Sequence, residues 1–375
     1  MQHRFDDIKT LVVKIGTTLL SHEGGFNVAI LKPLVQDLLQ LKAQKKLNLI
    51  LVSSGAIGCG MDALGLKERP VLLPQKQATA AIGQARLIHI YETLFNELAP
   101  EFTPAQILLS SRDLSDRQSY LNVRNTLNAL FEMNSIIPIV NENDSIATQE
   151  LKFGDNDTLS ARVASKIGAD LLIILSDVSG LYTGNPQTDP NVSLIPYVED
   201  LSEEIVGFAK DTRVASSIGG MKTKLDAAKI SVSSGLPMVI ANGHASGVIS
   251  GVLSGSVECT LFGVKEGGMK SRKRWIAFGL NPKGSIQVDE GARRALCDLH
   301  KSLLPAGVVN FEGPFESGDA VQLLGPEGEE FGRGLVNYSS QDLMKIQGCQ
   351  TTEIIGKLGS RDYESVVHRD NLAIL

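Results

Sequence analysis

Short, uniformly apolar runs recur through the first two thirds of the chain: Leu11 to Ile15, Leu47 to Val52, Ala105 to Leu109, Ile136 to Val140, Leu171 to Leu175 and Pro237 to Ile240. Each has the length of a strand, and the lack of polar alternation predicts burial on both faces. Longer stretches with helical spacing separate them. Val28 to Lys45 carries Ile30, Leu31, Leu34, Val35, Leu38, Leu39 and Leu41, and Ala78 to Leu98 is a second such stretch. This alternation predicts an α/β fold, a mostly parallel open sheet sandwiched by helices. After about Gly263 the segments shorten and are broken by Asn281-Pro282-Lys283-Gly284, Gly313-Pro314 and Gly325-Pro326-Glu327-Gly328, the texture of a small β-rich domain. The expected division is a first domain over 1–262, a linker over 263–282 centred on the glycine-rich, charged stretch Lys265 to Ser271, and a second domain over 283–375.

A length of 375 residues fits two domains, and 43% hydrophobic with 21% charged residues is an ordinary globular balance. The 36 Lys and Arg against 42 Asp and Glu leave a net charge of −6, which argues against a surface built wholly for phosphodiester backbones. The four cysteines, Cys59, Cys259, Cys297 and Cys349, include no C-x-x-C pair, so a zinc knuckle and a dithiol redox motif are both excluded. His3, Arg4, Asp6 and Asp7 stand where a secretory leader would need apolar residues, and no later stretch has the length and apolarity of a membrane span. The expected location is cytoplasmic, with no membrane partner.

Candidate chemistry gathers where apolar strands end, the place where open α/β sheets bind ligands. Lys14-Ile15-Gly16-Thr17-Thr18 offers a point charge, close backbone approach and N–H donors, the ingredients of a phosphate site; a strand-edge lysine before a turn is the plainer alternative. Ser53-Ser54-Gly55-Ala56 follows the second strand. Beyond it Gly58-x-Gly60-x-x-Ala63 matches a loose dinucleotide fingerprint, but the acidic residue expected about 20 positions on is missing, since none lies between Glu68 and Glu92. Glycines that let a helix pack tightly would explain Gly58 and Gly60, though not the paired serines. The densest polar run is Asn141-Glu142-Asn143-Asp144 followed by Gly154-Asp155-Asn156-Asp157. Capping of the helix towards Lys166 by Asp155 or Asp157 accounts for one acid but not for the cluster, whose amides and carboxylates suit a zwitterionic ligand. Ser176-Asp177 and Gly219-Gly220-Met221-Lys222-Thr223-Lys224 have the makings of nucleotide contacts, yet there is no Walker A sequence and no protein-kinase signature.

Taken in order, Val12-Val13-Lys14-Ile15-Gly16-Thr17, Ser53-Ser54-Gly55-Ala56-Ile57, Asn141-Glu142-Asn143-Asp144, Gly154-Asp155-Asn156-Asp157-x-Leu159-Ser160-Ala161, Gly180-Leu181-Tyr182-Thr183 and Gly219-Gly220-Met221-x-Thr223-Lys224 resemble the glutamate 5-kinase branch of the amino acid kinase family. Arg272-Lys273-Arg274-Trp275-Ile276, Val288-Asp289-Glu290-Gly291-Ala292, Ser302-Leu303-Leu304-Pro305 and Val367-His368-Arg369-Asp370 resemble its junction and C-terminal PUA domain. The resemblance implies transfer of the ATP γ-phosphoryl group to the side-chain carboxylate of L-glutamate, giving glutamyl 5-phosphate for proline biosynthesis. It implies catalytic roles for Lys14, Lys224 and Asp157, glutamate contacts from Ser54, Asp144 and Asn156 with Asn141, Asp155 and Gly55 beside them, and nucleotide contacts from Lys14, Gly16, Thr17, Ser176, Asp177, Gly219, Gly220, Met221, Lys222, Thr223 and Lys224. It also implies Mg2+ on the phosphates with no dedicated protein ligand, proline as a feedback inhibitor and a homo-oligomer. Ile218 and Lys222 flank the glycine–methionine motif where the family commonly has Thr and a small polar residue, and Asn185 stands where an acid usually precedes the proline. Other readings are a different carboxylate-phosphorylating amino acid kinase, such as an acetylglutamate kinase or aspartokinase, and a PUA-type RNA-binding protein with a vestigial kinase domain, for which Lys270 to Arg274 beside Trp275 would supply basic contacts.

Overall fold

The computed structural model describes residues 5, 7–22, 25–146, 156–186, 188–208, 220–264, 276, 281–359 and 363–375. The chain divides into two compact units, Met1–Lys265 and Glu266–Leu375. Most of the expected linker, including Lys265 to Ser271, lies outside the described residues.

The first unit runs β1 (Thr10–Ile15), α1 (Thr17–Leu20), β2 (Ser21–His22), β3 (Gly25–Phe26), α2 (Val28–Gln44), β4 (Asn48–Ser53), α3 (Ala56–Leu64), α4 (Leu73–Leu98), β5 (Thr103–Leu109), α5 (Ser111–Ser115) and α6 (Arg117–Glu132). It continues with β6 (Ile136–Glu142), α7 (Asn156–Ile167), β7 (Leu171–Ser176), β8 (Tyr197–Val198), α8 (Glu203–Gly207), α9 (Met221–Ser233), β9 (Met238–Asn242), α10 (Val248–Ser254) and β10 (Cys259–Phe262). Eight strands form one sheet in the order β5-β6-β4-β1-β7-β9-β10-β8. All neighbours are parallel except β9 with β10. The chain builds outward from β1 through β4 to β6 and β5, then returns to lay β7 on β1's other side. That reversal opens a crevice at the C-terminal ends of β1, β4 and β7, where open α/β sheets take their ligands.

Alternation along β1 decides what enters that crevice. Leu11, Val13 and Ile15 join a core with residues of α2, α3, α4 and α10, while Val12 joins the opposite core with residues of α6, α7 and α9. A period of two sends Lys14 to the side of Val12, among α7 and α9. Both faces of the sheet are covered, as the apolar strands predict, with one exception. β5 stands at the edge of the sheet, paired with β6 on one side, and Thr103 and Gln106 are exposed. α4 begins at Leu73, five residues before the expected Ala78, with Pro74 in its first turn where its missing N–H costs nothing. β8 and β10, two and four residues long, are too short for a hydrophobic period to announce.

The second unit holds a five-stranded sheet, β12-β11-β13-β14-β15, of β11 (Gly284–Val288), β12 (Val308–Glu312), β13 (Ala320–Leu324), β14 (Glu330–Val336) and β15 (Val367–Ile374). β11 and β13 are parallel and the other pairs antiparallel. Helices α11 (Glu290–Cys297) and α12 (Ser340–Ile346) close its core through Leu296, Leu343 and Ile346, against Ile286, Val288, Leu323 and Val336. Among the described residues no helix is long and apolar enough to cross a membrane.

Candidate active site

Lys14 is only 1% exposed, in a strand whose other residues after Thr10 are apolar. An isolated ammonium there would cost several kcal/mol of lost hydration, so the fold must supply an anion. It does so from the first turn of α7: Asp157 Oδ1 lies 2.5 Å from Lys14 Nζ. The second oxygen, Oδ2, lies 3.3 Å from Lys224 Nζ on α9 and accepts from the Thr223 hydroxyl at 2.8 Å. Asp157 is fully buried. Burial alone would raise its pKa, but the Lys14 and Lys224 ammonium groups, with the hydrogen bonds from Lys14 and Thr223, bring it down to about 2. The carboxylate is therefore ionised at any physiological pH, and one anion holds two buried cations. Its place in the first turn of α7 suits the positive end of that helix, whereas Lys224 in the first turn of α9 opposes the dipole and depends on Asp157. Asp157 lies inside the helix as a bridge to two lysines, so capping does not explain it.

The neighbouring residue, Asn156, faces a second cluster. Its Nδ2 donates to the Ser53 carbonyl at 3.2 Å, to Ser54 Oγ at 3.0 Å and to Asn141 Oδ1 at 2.9 Å. Ser53 ends β4 with Ser54 next to it, Asn141 lies near the end of β6 and Asn156 opens α7, so two strand ends and a helix start scattered over about a hundred residues of sequence meet at one amide. Two partners escape sequence reasoning. Gln84 on α4 accepts from Asn141 Nδ2 at 2.9 Å, and the buried Tyr91 hydroxyl donates to Ser53 Oγ at 2.7 Å. Gly55, with φ of +115°, turns the chain from β4 into α3; a Cβ there would lie 2.4 Å from Phe26 Cε2. Asp144 is half-buried in the turn after β6, within electrostatic reach of Arg69, another residue that no motif singles out. Asp155 lies outside the described residues.

The remaining candidates line the lysine side. Gly16 is buried, and a Cβ on it would come within 3.4 Å of Lys14 Nζ and 3.2 Å of the Leu175 carbonyl, so glycine keeps the space beside that ammonium open. Thr17 opens α1 and is half-buried. Gly220 precedes α9 and, having no side chain, makes no side-chain cap for the first-turn N–H groups. Thr223 spends its hydroxyl on Asp157 and the Gly220 carbonyl, and Lys222 is exposed, unlike Lys224. Ser176 and Asp177 pair at 3.0 Å at the end of β7. Gly219 and Ile218 lie outside the described residues, as do Lys270 to Arg274 and Trp275. The loose fingerprint glycine has another use: a Cβ on Gly60 would fall 2.0 Å from the Thr79 carbonyl, so it marks contact of α3 with α4.

Two buried lysines share one carboxylate at the switch point of a parallel sheet, beside the start of α9. The chain belongs to the amino acid kinase family, whose family model matches residues 9–242, and a PUA domain model matches residues 284–358. Within that family it groups with the glutamate 5-kinases. It is 45% identical over 369 residues to the glutamate 5-kinase of Moorella thermoacetica, covering 98% of this chain and 96% of that one. It is 47% identical over 366 residues to that of Caldanaerobacter subterraneus subsp. tengcongensis, covering 97% of each. It is 43% identical over 377 residues to that of Carboxydothermus hydrogenoformans, covering 100% of each. The chain is a kinase, as the motif resemblance implies.

Proposed function

We propose that the protein transfers the γ-phosphoryl group of ATP to the side-chain carboxylate of L-glutamate, giving L-glutamyl 5-phosphate at the entry to proline biosynthesis. The observation that carries this reading is the Lys14–Asp157–Lys224 bridge next to the Ser54–Asn156–Asn141 cluster. A glutamate carboxylate with pKa near 4.3 is ionised at neutral pH, so the reaction needs no general base. It needs in-line positioning and neutralisation of the charge that spreads over the transferring oxygens. Lys14 and Lys224 supply that charge in a water-poor setting, where it acts most strongly. Asp157 orients both lysines, and being ionised and fully engaged it takes no proton from the substrate.

Ser54, Asn156 and Asp144, with Asn141 and Gly55 as support, hold the amino acid; Asp155, the family-implied neighbour, lies outside the described residues. The start of α9 at Gly220, Met221 and Lys222, with Gly16 and Thr17 across from it in sequence order, receives the phosphates; Ser176 and Asp177 serve the nucleotide. Mg2+, which this reading assigns no protein ligand, would supply further positive charge to the phosphates. Proline, the pathway product, competes at the same polar loop between Asn141 and Asp157, so its inhibition weakens as glutamate rises. Assembly into a homo-oligomer and a cytoplasmic location also belong to this reading. RNA binding does not: residues 283–375 carry nine Lys and Arg against fourteen Asp and Glu, a poor surface for phosphodiesters.

The test is ADP release with ATP and magnesium, offering L-glutamate, N-acetyl-L-glutamate and L-aspartate separately, with hydroxylamine to trap the acyl phosphate. Turnover with L-glutamate and a trapped hydroxamate is expected. Turnover with either of the other acceptors in its place would reassign the substrate, and inactivity with all three would defeat the two-lysine phosphoryl-transfer mechanism.

A further inference from the structure

Two main-chain groups fix the direction of the amide cluster beside Asp157. The Glu142 N–H can only donate, and it donates to Asn141 Oδ1 at 2.9 Å. The Ser53 carbonyl can only accept, and it accepts from Asn156 Nδ2 at 3.2 Å. Asn141 therefore turns its NH2 group towards Gln84, whose Oε1 accepts at 2.9 Å. The Asn156 NH2 group is occupied by Ser53, Ser54 and Asn141. What Asn156 has left for a ligand is its carbonyl oxygen, an acceptor that suits an ammonium and not a carboxylate.

We infer that Gln84 is a positioning residue for the amino-acid substrate: it supplies the acceptor that completes the Gln84–Asn141–Asn156 relay in the direction that presents Asn156 Oδ1 to the substrate's ammonium group. This rests on the glutamate kinase reading above. Turning Asn141 over alone would bring its NH2 against the Glu142 N–H and the Asn156 NH2, and turning Asn156 over as well would set its Oδ1 against the Ser53 carbonyl. Gln84 is held in place by the turn of α4 that carries it. Its neighbour Gly83 abuts the start of α3 so closely that a Cβ there would lie 1.8 Å from the Ala56 carbonyl, one residue past Gly55. Gln84 thus reports the β4–α3 junction to the end of β6.

Three variants separate positioning from bulk structure. Gln84→Glu keeps an acceptor for Asn141, Gln84→Leu removes it, and Gln84→Lys puts a donor in its place. Steady-state kinetics with L-glutamate, N-acetyl-L-glutamate and ATP, together with melting temperatures, read the outcome. KM for L-glutamate is expected to rise about tenfold in Gln84→Leu, the scale of a lost hydrogen bond with a stranded donor, and further in Gln84→Lys. Gln84→Glu should stay within about threefold of the parent enzyme in KM for L-glutamate and keep its melting temperature, the Leu and Lys variants should melt a few degrees lower for the stranded donor, and KM for ATP should be unchanged in all three. Preference for L-glutamate over the N-acetylated form, which lacks the ammonium, should narrow in the Leu and Lys variants. Unchanged kinetics in Gln84→Lys, a Glu variant as poor as the Lys variant, or a parallel loss for ATP would each overturn the inference while leaving the enzyme's activity established. Inactivity of the parent enzyme with L-glutamate would be the different failure, that of the functional reading.

Discussion

Replacing Asp157 by Asn tests the centre of the site with a near-isosteric change. The substitution removes a carboxylate that stands 2.5 Å from Lys14 and 3.3 Å from Lys224 and leaves a neutral amide between two buried lysines. Unpairing a buried ion pair costs about 3–5 kcal/mol in measured cases, and both lysines are buried. At about 2–4 °C per kcal/mol, the melting temperature of Asp157→Asn should fall by roughly 6–20 °C. A phosphate-bearing ligand supplies the missing negative charge, so a non-hydrolysable ATP analogue should raise the variant's melting temperature by more degrees than the parent's. Scanning fluorimetry with and without the analogue reads both effects, and kcat should drop by about two orders of magnitude or more. A variant that melts within about 2 °C of the parent would refute the reasoning, since the magnitude follows from burial and distance alone.

Acid stability follows from the same carboxylate. Its folded pKa of about 2 lies below the ordinary value of 3.8, so its contribution is present above pH 3.8 and is lost as the pH falls from there through about 2. Acid titration should therefore show a steep loss in that window that Asp157→Asn lacks by about one proton. Lys14→Ala and Lys224→Ala should chiefly lower kcat, by about a hundredfold or more, and unchanged turnover in either variant would remove that lysine from its role. Gly16→Ala should fold normally, since its Cβ meets nothing closer than 3.2 Å, yet lose turnover through crowding beside Lys14; kinetics on a variant of unaltered melting temperature decides it. Gly83→Ala should instead give little folded protein, because its Cβ would enter the Ala56 carbonyl at 1.8 Å, and normal soluble yield would count against the tight α3–α4 contact.

The sheet is largely readable in the sequence because burial on both faces leaves mostly apolar runs, and six of its eight strands announce themselves by such a run, with Lys14 in β1 and Gln106 in β5 as the polar interruptions. What the run does not reveal is where in the sheet it stands, and β5 stands at the edge with Thr103 and Gln106 exposed. Lys14 is legible as a charge ending an apolar strand, and alternation with Val12 already places it opposite Leu11 and Val13. Asp157 looks like a cap because a helix N-terminus accounts for one acid locally; only the long-range approach of β1 and α9 shows its other use. Gln84 and Tyr91 are hidden for the same reason. They are ordinary polar positions on a long amphipathic helix, and their partners lie 57 and 38 residues away. Thr223 reads as a nucleotide contact from its motif, and its hydroxyl in the structure faces Asp157.

The Lys14–Asp157–Lys224 bridge also works as a gauge. The two ammonium groups hang from the two oxygens of one carboxylate, so their spacing is set by a rigid covalent unit and not by the distance between β1 and α9. Lysine side chains have four flexible carbons with which to absorb small shifts of their backbones. Sequence drift in the outer layers that moves α9 by a fraction of an ångström can therefore leave the distance between the two cations untouched. Lengthening the gauge by one methylene, as in Asp157→Glu, would shift both cations together even though every charge is kept.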